Sequence, residues 1–226
     1  MLFASIDLTT TSLLGYTADM AKHYDHYCPV AHALDLVGER WALLVVRELM
    51  PGPKRYTDLA EHLPGIGTNI LASRLRDLEA AGIVTKRTLP PPAASRVYEL
   101  TEYGQALRTV VRELALWGAR SLGPPTDADE LFPGWLENAL GTLLAPLAPP
   151  GRFEFRVGHE VASIADGEAQ PGAIEDPDVV VEGDPEGVYH MFVDRRLDLV
   201  SVRGDRALLE QLVDATPSPV EQPVSA

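Results

Sequence analysis

One cysteine stands among 226 residues. A lone thiol closes no intrachain disulfide, so this is no disulfide-stapled scaffold, and the usage fits a reducing compartment. Also missing is any apolar run of about 18 residues, the length a membrane-spanning helix needs. Residues 1–19 lack the basic start and long apolar core of a signal peptide. A cytoplasmic setting without a membrane partner is therefore expected. Positive charge is scarce as well: 19 Lys and Arg face 33 Asp and Glu, a net of −14. Catalytic signatures are absent, with no phosphate loop, His-Glu-x-x-His, Cys-x-x-Cys or nucleophile elbow. No enzyme activity and no cofactor are expected. The six histidines are scattered. His23, His26 and His32 around Cys28 come nearest to a ligand set, but thiol or acidic ligands at fixed spacing are missing, so no metal is expected.

A chain of this length is expected to hold two domains, and the charge divides it in the same way. Residues 20–122 carry 13 basic and 11 acidic side chains, while residues 123–226 carry 6 and 20. A half with that acidic excess repels phosphates and is no nucleic-acid module; ordinary solubility charge explains it equally well. The proposed organisation is a flexible extension over 1–19, one domain over 20–122 and a second over 127–215. A disordered proline-rich tail follows over 216–226. Gly123-Pro124-Pro125 supplies the linker.

The most informative stretch is residues 56–100. Leu59 and Leu63 lie four apart and share one helix face. Pro64, Gly65 and Gly67 break that helix. A second helix follows with Leu71, Leu75 and Leu78 on its buried side, and Gly82 stops it. At about 100° per residue, Asn69, Ser73 and Arg76 lie opposite the leucines. These side chains can donate to or accept from base edges, and arginine pairs well with guanine. Thr68 and Arg74, at the margins, suit phosphates. Residues 83–87 and 96–100 read as strands, and the proline-rich residues 89–95 between them cannot continue a ladder. Lys86, Arg87 and Arg96 flank that loop, where phosphates or a minor groove would lie. Helix, turn, helix and wing in this order predict a winged helix-turn-helix. The plainer alternative is a small α+β domain whose arginines are merely solvated.

Upstream, residues 32–49 read as an amphipathic helix pair. Leu36, Trp41, Leu44, Val45 and Leu49 are expected beneath the second helix of the motif. Downstream, Thr101 caps a long helix running to about Leu122, with Leu107, Val110, Val111, Leu114 and Trp117 on one side. Its apolar side exceeds the needs of one small domain. It suits a homodimer interface, with packing against the second half of the chain as the alternative.

Several motifs taken together resemble one family. They are Cys28-Pro29-Val30, Gly38-Glu39-Arg40-Trp41, Tyr56-Thr57-Asp58-Leu59, the run from Leu71 to Glu79, Gly82-Ile83-Val84 and Tyr98-Glu99-Leu100-Thr101. In that order they resemble the HxlR-type regulators, MarR-like winged-helix proteins of bacteria. The resemblance covers about residues 22–122. It implies a dimeric transcriptional regulator that binds double-stranded DNA at a pseudo-palindromic operator. Gly67, where a polar helix cap is common, and Thr68-Asn69, where a basic residue is common, depart from the family pattern. Several relatives with a cysteine at the position of Cys28 sense oxidants or electrophiles, so the resemblance makes Cys28 a redox-sensing candidate. The alternative is an inert, half-buried thiol.

The second half reads as a helix over 135–144, strands over 152–157, 160–165 and 179–183, a helix capped by Asp184, a strand over 197–202 and a helix opened by Asp205. That order, with Val179-Val180-Val181-Glu182-Gly183-Asp184-Pro185-Glu186 and Val202-Arg203-Gly204-Asp205, resembles a sterol carrier protein type 2-like domain. The resemblance implies a small α+β fold around an apolar cavity and a hydrophobic small-molecule effector. The lining candidates are Trp135, Leu140, Leu144, Phe153, Phe155, Tyr189, Met191 and Phe192, with an ordinary core as the alternative. The overall expectation is an α+β chain: a winged helix-turn-helix with a long dimerisation helix, followed by the sterol-carrier-like domain. The function expected is a DNA-binding regulator modulated by that effector or by Cys28 chemistry. The alternative is a hydrophobe carrier or protein-interaction module with vestigial DNA binding.

Overall fold

The structure, a computed structural model, describes residues 24–217 apart from 93, 127, 128, 130 and 132. The expected extension over 1–19 and the tail beyond residue 217 lie outside the described residues, as do Met20, Lys22 and His23.

The first half opens with α1 (Pro29–Val37) and α2 (Ala42–Leu49). On α2, Ala42, Val45, Val46 and Leu49 recur at helical spacing and are buried, so Leu44 turns outward at 39% exposure and is not the core residue expected. Trp41 adopts a left-handed φ of 80° at the turn between the helices, uncommon for a bulky side chain, and packs against the core. The motif itself is α3 (Tyr56–His62) and α4 (Thr68–Ala80). The Arg55 N–H donates to Asp58 Oδ2 at 2.9 Å, which fixes the start of α3. Leu59, Leu63, Leu71, Leu75 and Leu78 are all buried in one core.

Gly82 ends α4 as the spacing predicts. At φ 69° it lets the Ile83 N–H reach Leu78 O at 2.9 Å and its own N–H reach Glu79 O at 3.0 Å, the paired bonds of a Schellman turn. The chain then enters β1 (Val84–Thr88), antiparallel to β2 (Arg96–Leu100), with Val84 opposite Leu100 and Thr88 opposite Arg96. Lys54 adds a one-residue bridge to Tyr98 that sequence patterning does not reveal. Thr101 accepts from the Gly104 N–H at 3.0 Å and caps α5 (Glu102–Gln105). A turn at Ala106 separates α5 from α6 (Leu107–Leu122), so the long helix expected here is two.

In the second half, α7 (Trp135–Ala139) runs on into a π-helical turn (Leu140–Leu144) and a 3-10 turn (Ala145–Leu147). Five strands follow: β3 (Phe153–Val157), β4 (Glu160–Ala165), β5 (Glu168–Pro171), β6 (Val179–Gly183) and β7 (Ser201–Gly204). They form one mixed sheet in the order β5-β4-β3-β6-β7, with β3 and β6 parallel and the other pairs antiparallel. Helices α8 (Pro185–Val193) and α9 (Arg206–Ala215) complete the domain, each started by its aspartate: Asp184 accepts from Gly187 N–H and Asp205 from Leu208 N–H. β5 was not expected, because Glu-Ala-Gln-Pro has no apolar alternation. The strand expected over 197–202 is a 3-10 turn (Leu197–Leu199) and then β7.

Alternation on β3 sends Phe153, Phe155 and Val157 into a core shared with Leu136, Leu140, Leu144, Met191, Leu209 and Leu212. Glu154 points to the other face, where it is buried, accepts from the Ile174 N–H at 3.1 Å and pairs with Arg156 at 2.6 Å.

Candidate nucleic-acid interface

Burying Leu71, Leu75 and Leu78 leaves the opposite side of α4 outward. Thr68, Asn69 and Arg76 are exposed there and Ser73 is half-buried. Tyr56 pins the start of the helix by donating its hydroxyl to Thr68 O at 2.8 Å. Gly67 precedes it without a side-chain cap, so no side chain competes for the first backbone N–H groups. Such a terminus suits phosphate.

Arg74 departs from the expected margin. Its side chain is only 12% exposed and lies within 3.2 Å of Asp77 and 3.6 Å of Glu39, so it ties α4 to the turn before α2. A phosphate contact from Arg74, expected from its place at the margin, would have to compete with these two carboxylates.

On the wing, Lys86 pairs with Glu79 at 2.6 Å and lies 5.5 Å from the centre of the Tyr98 ring. The Glu79 hydrogen bond holds its ammonium above the ordinary lysine range. Arg87 pairs with Glu99 at 2.8 Å. Arg76 and Arg96 are exposed and have no ion-pair partner among the described residues. Thr68, Asn69, Ser73 and Arg76 thus share the outward side of α4, and Arg96 is exposed on the wing. Lys86 and Arg87 are exposed but already neutralised. Exposed pairs of this kind contribute little, so a phosphate can compete for them.

Four large apolar side chains of α6 are exposed, and three of them, Val110 at 50%, Leu114 at 47% and Trp117 at 63%, lie along its middle. The spacing of four and three residues puts Val110, Leu114 and Trp117 on one stripe. Cys28 is exposed at the N-terminal end of α1, not half-buried.

The expected lining residues of the second half pack together. Leu140, Leu144, Phe153, Phe155 and Met191 are buried against one another, with Trp135 and Phe192 packed on that core and Tyr189 half-buried beside it. This packing matches the ordinary core that is the alternative to a lined cavity. A cleft of about 570 Å³ lies elsewhere, between the two halves. Sequence reasoning also missed the cluster beside it. Glu48, buried on α2, pairs with Arg47 at 2.7 Å, Lys54 at 3.1 Å and His62 at 3.1 Å, and accepts from Asn138 of α7 at 3.3 and 3.4 Å. Burial pushes the Glu48 carboxyl up, but the Arg47 and Lys54 charges outweigh it and hold it below the usual carboxylate range. A lone acidic residue in the apolar run ALLVVREL was the one available signal.

Among the described residues no three His, Cys, Asp or Glu side chains are grouped to hold a metal, and no helix is long and apolar enough to cross a membrane.

A helix, a tight turn, a second helix with a polar outer face and a two-stranded wing define a winged helix-turn-helix. Comparison with known proteins places it further. Residues 36–125 match the HxlR-like helix-turn-helix family. The chain is 39% identical over 98 residues to the HTH-type transcriptional regulator YodB of Bacillus subtilis, covering 43% of this chain and 88% of YodB. It is 36% identical over 101 residues to the uncharacterized HTH-type transcriptional regulator sll1512 of Synechocystis, covering 45% and 75%. Among solved structures, the reduced form of YodB matches at 37% identity and TM-score 0.38, over 45% of this chain and 100% of that one. The chain belongs to the HxlR-like helix-turn-helix family and is a transcriptional regulator of that type.

Proposed function

We propose that the chain reads a pseudo-palindromic operator as a homodimer, in the cytoplasm, and that its second half is a sterol-carrier-like domain that senses a small-molecule effector. The observation that carries the DNA reading is the outer face of α4, which holds Thr68, Asn69, Ser73 and Arg76, with no carboxylate paired to Arg76 among the described residues. In this geometry α4 enters the major groove. Arg76 and Asn69 meet base edges, and Thr68 and the wing residues Arg96, Lys86 and Arg87 hold phosphates.

The exposed stripe Val110, Leu114 and Trp117 supports the dimer, since such a stripe on α6 is costly to leave in water. A mixed sheet with α7, α8 and α9 packed on one face supports the sterol-carrier-like reading. The domain limits proposed are 20–122 and 127–215. An exposed Cys28 at the start of α1 is the second route of control, because its thiol is accessible to an oxidant.

Fluorescence anisotropy of the purified chain on its own upstream DNA, beside a shuffled duplex, tests the DNA reading. Tight binding to the native fragment alone, weakening linearly in log salt, is expected. Equal and feeble binding to both duplexes would favour a carrier or protein-interaction module instead.

A further inference from the structure

The cleft between the halves has walls of two kinds. Met50, Pro51, Ala145 and Ala169 are apolar, while Glu137, Asn138 and Thr142 supply oxygens. Glu137, half-buried on α7, forms no hydrogen bond or ion pair among the described residues. Its neighbours are committed elsewhere: Glu160 accepts from the Gly134 and Leu136 N–H groups at 2.6 and 3.0 Å, and Lys54 is bound to Glu48. Burial pushes the Glu137 carboxyl above the usual range, more than the Lys54 charge pulls it back. The Thr142 hydroxyl also has no partner among the described residues, and Asn138 donates its amide to Glu48, which leaves its carbonyl oxygen unused. Glu168 adds a second carboxylate at the rim. The one cation in the lining, Arg108, is committed to Gln105 and the Met50 carbonyl.

An acceptor-rich, net-acidic cleft with an apolar wall suits a cation that donates hydrogen bonds and carries a hydrophobic body. The acidic excess of the second half attracts the same sign of ligand. Thr142 lies in the π-helical turn, a local widening that recurs at functional sites. We propose that the interdomain cleft binds a small aryl- or alkyl-ammonium compound, with Glu137 as its counter-ion and Thr142 and Asn138 as further acceptors. This deepens the effector reading above and rests on it. It also moves the ligand from the core of the second half to its border with the first. There Asn138 touches Glu48, and Glu48 holds Lys54 and His62 at the end of α3.

Titration calorimetry of the full chain with tryptamine and with its neutral analogue tryptophol tests the site. Tryptamine is expected to bind at least about tenfold tighter, the loss that one missing charge-assisted bond produces. Glu137→Gln, close in shape to the native side chain, is expected to erase that preference. No tryptamine binding up to millimolar, equal affinity for both compounds, or an unchanged preference in Glu137→Gln would overturn the site. Operator anisotropy run in parallel separates the two readings. Operator binding that is intact while tryptamine fails to bind removes this site alone. Tryptamine binding that leaves operator affinity unchanged removes the effector reading, since only differential affinity shifts a conformational equilibrium.

Discussion

Arg76 stands on α4 with no ion-pair partner among the described residues, and Arg74, two positions earlier, pairs with Glu39 and Asp77. The two arginines therefore predict different phenotypes. Arg76→Ala should cost about 1–3 kcal/mol on the specific site and relax base preference. Arg74→Ala should instead lower folding stability and leave base preference intact; equal loss of preference from both would contradict the assignment. Periodicity made Arg76 legible in the sequence, because three leucines define the buried side. It left Arg74 ambiguous, because an arginine at the margin takes its direction from a partner, and Glu39 lies on another element. Glu48 makes a pH prediction. Its carboxyl sits below the ordinary value of 4.5 in the folded chain, so its contribution is present above that value. The contribution is lost as pH falls through the lowered folded value. Glu48→Gln should flatten the acid limb of a denaturation midpoint plotted against pH. Near neutrality it should cost about 1–3 kcal/mol by leaving Lys54 and His62 unmatched.

Among the elements, the turn after α4 is the one most tightly specified. Gly82 at φ 69° has open space around its missing Cβ, so Gly82→Ala meets only the conformational cost, about 1–2 kcal/mol. Urea unfolding measures it; an unchanged midpoint would mean the Schellman turn does not form. The stripe on α6 predicts that Trp117→Glu yields monomers by light scattering and weakens operator binding. An unchanged mass would place the dimer contact elsewhere. Elements with strong patterning were legible: α3, α4, the two wing strands, and the helices started by Thr101, Asp184 and Asp205. Those without it were not. β5 carries Glu-Ala-Gln-Pro and exists because β4 offers it an edge, and the Lys54 bridge is one residue long. The break at Ala106 falls inside a continuous helical pattern, just after α5 passes so close to the Ile83 carbonyl that a Cβ on Gly104 would meet that oxygen at 2.1 Å.

At the scale of the whole molecule, charge separation and the contact between halves set the behaviour. An acidic half repels phosphates, so on the proposed reading operator binding should weaken with salt through the few basic side chains of α4 and the wing. Charge and Gly123-Pro124-Pro125 predict a division of the chain near residue 123, and two separate hydrophobic cores lie on either side of it. The packing of α7 and its π-helical turn against α2 and α6 was not, because a surface between two domains carries no periodic pattern of its own. The central claim is that two copies of α4 read two half-sites. Footprinting of the purified chain on its own upstream DNA tests it most directly. The account predicts two protected half-sites centred about 10 base pairs, or one helical turn, apart. Protection of one isolated half-site, or none beyond that of a shuffled duplex, would contradict it.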